Sequence, residues 1–213
     1  MWVSTNRGSF ILLWLIFSTL LIYYAMDVLF FENHSLFYNT YVNQMDVSRI
    51  DGMLEQATQW KWVGYLIVPV VVLTRVSYTT TCIFVGCFLS DIKVKFRELF
   101  KVVIFADFVF IVSGLSKLIM LIYFEDVNTL GDLQVQPLAL SNLFDLSKSD
   151  PILNYPLSVL SVFEMLYVFV LVWIVSGLIG RTFLSSFRTI ATSYGTGMLL
   201  WVLFVMFMNV TLN

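Results

Sequence analysis

Five stretches of about twenty mainly apolar residues constrain this chain more than anything else in it. They run approximately over 10–31, 62–89, 102–124, 157–179 and 190–210. The hydrocarbon core of a bilayer is roughly 30 Å thick, and at about 1.5 Å of rise per residue a spanning helix needs about 20 such residues. Barrel strands would alternate apolar and polar positions over about ten residues, whereas these runs are apolar on every face. The expected fold is an all-α polytopic bundle of five transmembrane helices, with residues 1–213 forming a single membrane domain. Composition agrees: 59% of residues are hydrophobic and only 12% charged, about half the charge that coats a soluble domain.

Topology follows from the basic residues of the short loops. With the N-terminus inside, Arg7, Lys93, Lys95, Arg97, Lys101, Arg181 and Arg188 gather on the inner side, against Arg49, Lys61 and Lys148 outside. The expected topology is therefore N-in, C-out. The first run is read as a retained helix, because it continues past Ile22 through Tyr23, Tyr24 and Val28 with no small-residue cleavage pattern. Pro69 inside the second run predicts a kink or tilt there.

The outer connections, 32–61 and 125–156, differ in character. From Val47 onward Val47, Ile50, Leu54 and Ala57 recur at helical spacing, which predicts a helix on the membrane surface or on top of the bundle. Tyr38, Tyr41, Trp60 and Trp62 suit the interfacial aromatic belt. Gly131, Pro137, Pro151 and Pro156 predict an irregular second connection. On the inner side Lys93, Lys95, Phe96, Arg97, Leu99, Phe100 and Lys101 read as a short amphipathic helix leading into the third span. Its basic face would anchor at an anionic leaflet or dock a soluble partner.

Five ionisable residues lie inside the spans: Asp27, Arg75, Asp107, Lys117 and Glu164. An intramembrane charge costs about 2.5–3.5 kcal/mol on insertion scales, so each should pair, face the bundle or reach the interface. Depth counting pairs Arg75 with Asp107 in the inner half and Lys117 with Glu164 in the outer half, and lets Asp27 reach water. Matched signs, with no span evidently broken, favour structural pairing over an ion path. An unpaired Glu164 would have its proton affinity raised by desolvation, which would revive the ion-path reading.

Other chemistry is thin. Two Cys and one His leave no metal site, and Cys82 and Cys87, five apart, read as buried thiols. Asn33-His34-Ser35 and Asn209-Val210-Thr211 match the glycosylation sequon. Ser176, Gly177, Gly180, Ala191 and Gly195 offer thin surfaces for helix packing. No phosphate-binding loop, HExxH or nucleophile with a His base occurs, so neither enzyme activity nor a cofactor nor a small-molecule substrate is expected. A net charge of −2 provides no field for nucleic acid.

The segments KVKFRELFKVVIFADFVFIVSGLSKLIML at 93–121 and PLSVLSVFEMLYVFVLVWIVSGLIGRTF at 156–183, with the closing apolar helix, resemble the bacterial form of the YIP family of Ypt- and Rab-interacting membrane proteins. The family has five spans and the same topology. The resemblance implies a non-enzymatic protein working through partner proteins or lipid organisation, with small GTPases as partners in eukaryotic members. Here little chain precedes the first span and Glu164 stands near where a family Asp is expected, so no functional residue transfers. The leading expectation is a scaffold or accessory subunit in a bacterial inner membrane, contacting lipid and other membrane subunits. The alternative is a small transporter or an ion- or proton-conducting subunit.

Overall fold

The computed structural model describes residues 5–31, 34–123, 127–143 and 151–212. Its described residues form eight α-helices: α1 (Thr5–Met26), α2 (Ser35–Tyr41), α3 (Val47–Gln59), α4 (Lys61–Leu89), α5 (Phe96–Tyr123), α6 (Pro151–Val159), α7 (Val162–Ile179) and α8 (Phe183–Leu212). Five of them are long and apolar enough to span a bilayer, which makes the chain an integral membrane protein of the helical-bundle class. Phe10, Leu66, Phe88, Trp173 and Phe207 are among the large apolar side chains each more than half exposed on the bundle's outside, as a lipid-facing surface requires.

The spans run up and down. One end carries the two long connections, and the other carries the short links 90–95 and 180–182. We call these the long-loop and short-loop ends. Helix α5 is central, packed against α1, α4 and α7, while α8 closes on α4 and α7. Leu15, Val76, Ile83, Val103, Leu171, Val172 and Ile190 fill the core between them.

Several boundaries depart from the sequence reading. The first span ends not in α-helix but in a π-helical turn, Asp27–Phe31, a rare geometry frequent at functional sites. The basic link is not one amphipathic helix, because residues 91–95 are non-helical and α5 starts at Phe96. Lys93 and Lys95 therefore sit on the link, whereas Arg97 and Lys101 ride the first turns of α5. Leu99 and Val103 are fully buried, so the apolar stripe there is bundle packing. Pro69 sits within a continuous α4. The surface helix from Val47 is present as α3, with Ile50 fully buried.

The largest departure is in the fourth span. The run at 157–179 is interrupted at Leu160–Ser161: α6 ends at Val159, Ser161 is extended (φ −118°, ψ 161°), and α7 begins at Val162. The freed backbone groups pair with the second connection, through Leu140 N–H to Leu160 C=O at 2.9 Å and Val162 N–H to Leu138 C=O at 3.1 Å. Such pairing is what lets non-helical backbone persist beside a bilayer. The Ser161 hydroxyl caps α7 by accepting from the Glu164 N–H at 3.2 Å. At the other end Gly180 stops α7 in the left-handed conformation (φ 64°), a position that favours glycine.

Of the small residues read as helix-packing surfaces, Gly177 and Gly195 do not serve that role. A Cβ on Gly177 or Gly195 would meet nothing within 4 Å. Close approach occurs instead at Gly86, against Ser193 of α8, and at Gly197, where a Cβ would lie 2.5 Å from Cys82 Sγ of α4. Cys82 and Cys87 are free thiols, and Cys87 is buried. Lys148 and Asn33 lie outside the described residues, and Asn209 lies within α8.

The two long connections are tied to each other. Asn39 Nδ2 donates to Asn128 C=O at 3.1 Å, and Leu130 N–H donates to Thr40 Oγ1 at 2.9 Å. Asp132 holds the loop from within, its Oδ2 accepting from the Asn128 and Thr129 N–H groups at 3.0 and 2.8 Å. Burial pushes its carboxyl upward, but these donors outweigh that and leave it below the ordinary value of 3.8. A depressed folded-state value means the contribution is complete above pH 3.8 and is lost as pH falls through the lower folded value. Protection of the Asn128 and Thr129 amides from hydrogen exchange, taken relative to the intrinsic rate at each pH, is expected to hold from neutrality down to that range and to fall below it. In Asp132→Ala that protection should be lost at every pH, and unchanged protection would contradict the assignment.

Candidate functional site: a charged cluster inside the bundle

Four spanning helices bring ionisable and hydroxyl side chains together at the centre of the bundle. Arg75 lies midway along α4, and Asp107, fully buried, projects from the interior face of α5. Arg75 Nε and Nη2 donate to Asp107 Oδ1 and Oδ2 at 2.9 and 2.5 Å. This parallel fork is the geometry a guanidinium makes best with a carboxylate. The Arg75 guanidinium also lies 4.1 Å from the Phe110 ring centroid, one turn along α5 from Asp107. An aromatic face there stabilises the cation beside its carboxylate partner. Depth counting thus identified this pair correctly.

The second expected pair does not form. Glu164, in the first turn of α7, accepts from the Tyr194 hydroxyl of α8 at 2.6 Å and makes no salt bridge to a described residue. It lies within electrostatic reach of Arg75 and Asp107. Lys117 sits ten residues beyond Asp107 on α5, about 15 Å further towards the long-loop end, and no described carboxylate bonds to it. The reason is the break at Ser161, which starts α7 deep enough to carry Glu164 towards the Arg75 level. The Ser161-Val162-Phe163-Glu164 sequence carried the signal, since Ser followed three residues later by Glu marks a helix start even inside an apolar run.

Hydroxyl groups extend the cluster. The Tyr167 ring stacks obliquely on Phe110 at 4.8 Å and meets Tyr194 edge-on at 5.8 Å. Among the described residues the Tyr167 hydroxyl, sealed from solvent, has buried Thr79 of α4 beside it as its polar neighbour and makes no well-formed hydrogen bond. Towards the short-loop end the interior stripe of α8 continues through Thr189 to Ser186, eight residues and about 12 Å from Tyr194. Ser186 is fully buried, and its hydroxyl has no partner among the described residues. Buried hydroxyls without protein partners are ordinarily met by bound water.

Asp27 is not left to water alone: it is 5% exposed and paired, accepting from Lys61 Nζ at 2.9 Å and from the Tyr65 hydroxyl at 2.5 Å. Among the described residues no group of His, Cys, Asp and Glu is arranged to hold a metal ion.

No known protein family, curated protein or solved structure matches the chain.

Proposed function

We propose that this chain is a proton-conducting or proton-coupled membrane subunit, with Glu164 as the group that takes up and passes on the proton. One observation carries the reading. The cluster holds two carboxylates, Asp107 and Glu164, against one guanidinium, and that guanidinium is committed to Asp107 through both of its bonds. Glu164 is left half-buried, with a phenol hydroxyl as its partner. Intramembrane carboxylates without a basic partner are the groups that proton carriers use, and a helix broken beside the site is a recurrent feature of transporter cores. Tyr194, Tyr167, Thr79, Thr189 and Ser186 offer a line of hydroxyls from Glu164 towards the short-loop end, and Lys117 lies on the other side. The basic-residue bias would place the short-loop end in the cytoplasm of a bacterial inner membrane.

Reconstituted protein is expected to dissipate a pH gradient in proteoliposomes carrying an entrapped pH-sensitive dye. Glu164→Gln should reduce that flux about a hundredfold, the scale of losing a proton-transfer group, with helicity and elution volume unchanged. Flux in Glu164→Gln equal to that of the parent would overturn the proposal.

A second reading keeps the protein as a scaffold or accessory subunit, as the YIP resemblance implies. The closed Arg75–Asp107 fork favours it, since two of the three central charges then serve to join α4 to α5. Stoichiometric co-purification of defined partners in mild detergent, undiminished in Glu164→Gln, supports this second reading.

A further inference from the structure

Ser161 marks the start of α7, yet nothing in the fourth run stops the helix ahead of it. From Leu157 to Ser176 the run holds neither Pro nor Gly, the residues that most disfavour a helix. What holds the break open is a strap from the second connection, residues 137–141. Pro137, Ala139 and Ser141 are buried while Leu138 between them is exposed, and Ala139 faces Ser161 in a single antiparallel bridge. Asn142 Nδ2 donates to Gln136 C=O at 2.8 Å and closes the base of the strap. Leu138 holds a positive φ of 54°, in the left-handed region that residues other than glycine seldom adopt. Strain in the strap therefore opposes its hold on the helix.

The strap takes the backbone groups that an unbroken helix would use. In such a helix Leu160 C=O accepts from the Glu164 N–H, and the Val162 N–H donates to Ser158 C=O. Here Leu160 C=O accepts from the Leu140 N–H, the Val162 N–H donates to Leu138 C=O, and the Glu164 N–H donates to the Ser161 hydroxyl. Two sets of hydrogen bonds thus compete for the same three groups, and neither set leaves one of them bare beside the bilayer. The strap's own groups, once released, meet water at the long-loop end. A segment with two complete sets of bonds has two arrangements to move between. The strap meets α7 at its first turn, on the long-loop side of Glu164, while the line of hydroxyls leads from Glu164 the other way. We propose that the strap at 137–141 is the long-loop gate of the Glu164 site. It closes the site while paired with Leu160 and Val162, and opens it by withdrawing as α6 and α7 join into one helix. The gate rests on the proton-conducting reading of Glu164.

The full chain carrying Ala139→Cys and Ser161→Cys, reconstituted in proteoliposomes, tests the gate. Residues opposed in this way, with the bridge bonds made by their neighbours, lie about 4.5 Å apart at Cα, within the span of a disulfide. Oxidation, with the crosslink verified by peptide mass, is expected to cut proton flux at least about tenfold by removing the open population. Dithiothreitol should restore the flux, and Ser161→Cys alone should show no such response to oxidation. Equal flux in the oxidised and reduced double variant overturns the gate alone. Absence of flux from the parent chain overturns the Glu164 reading and the gate with it. Hydrogen exchange on the parent chain keeps the test valid if the double variant folds poorly. Withdrawal of the strap frees the Leu140 amide, whereas the Val162 amide passes to Ser158 C=O. Relative to intrinsic rates, Leu140 is therefore expected to exchange at least about tenfold faster than Val162. Equal protection of these two amides overturns the proposal.

Discussion

Arg75→Leu is expected to destabilise the folded bundle by about 3 kcal/mol, because it strands the fully buried Asp107 carboxylate without its cation. The Arg75 side chain is 34% exposed, while that of Asp107 is not exposed at all, so the penalty comes chiefly from the acid left behind. Asp107→Leu should cost less, since the released guanidinium keeps its Phe110 contact and has a long stem with which to seek the interface. The double variant Arg75→Leu/Asp107→Leu is expected to recover most of the loss, as two matched apolar side chains remove the charges together. Unfolding in mixed micelles by titration with dodecyl sulfate, followed by circular dichroism, measures all three. A single Arg75→Leu variant as stable as the parent would show that the fork contributes nothing.

A comparably large effect is expected at the α4–α8 contact. The Cβ introduced by Gly86→Ala would fall on the Cβ and Oγ of Ser193, with the Thr189 carbonyl 3.4 Å away. Two helix backbones must then separate, and overpacking of this kind costs about 1–3 kcal/mol. Ser193→Gly should restore part of that in the double variant. Restoration is incomplete because the Ser193 hydroxyl bond to Thr189 C=O is lost and a helical glycine costs about 1 kcal/mol. Gly177→Ala is the control: its Cβ would meet nothing within 4 Å, so it should be neutral or slightly stabilising. Equal losses in Gly86→Ala and Gly177→Ala, measured in the same titration, would mean that the contact is not the cause.

These two sites also separate what could be read in advance from what could not. Arg75 and Asp107 were legible as partners because depth in a spanning helix is a count of residues, and a long Arg side chain bridges the one turn of depth between opposite charges. Gly86 and Gly197 were not legible against Gly177 and Gly195. All four have the same chemistry, and only the rotation of α4 and α8 about their axes decides which of them faces a neighbour.

The charge at Glu164 shows the limit most clearly. Depth counting assumed one unbroken helix over 157–179 and so matched Glu164 to Lys117. The Ser161 cap and the pairing of Leu138–Leu140 with Leu160–Val162 start the helix later, and Glu164 finds Tyr194 instead. The pairing of Asp27 was missed for a related reason: its burial depends on Lys61 and Tyr65, which a different helix brings to it.

The amino-acid sequence by itself determined that the chain is helical and spans a bilayer five times, because the apolar length needed to cross hydrocarbon is a local property of each segment. It also indicated a helix from Val47 onward and put Arg75 and Asp107 in the same half of the membrane, about one helical turn apart. Tertiary structure alone decided which carboxylate keeps a basic partner, where the fourth span is interrupted, and which glycines let helices touch. Those outcomes depend on how helices rotate and dock against one another, and residue spacing along a single helix does not specify its neighbours.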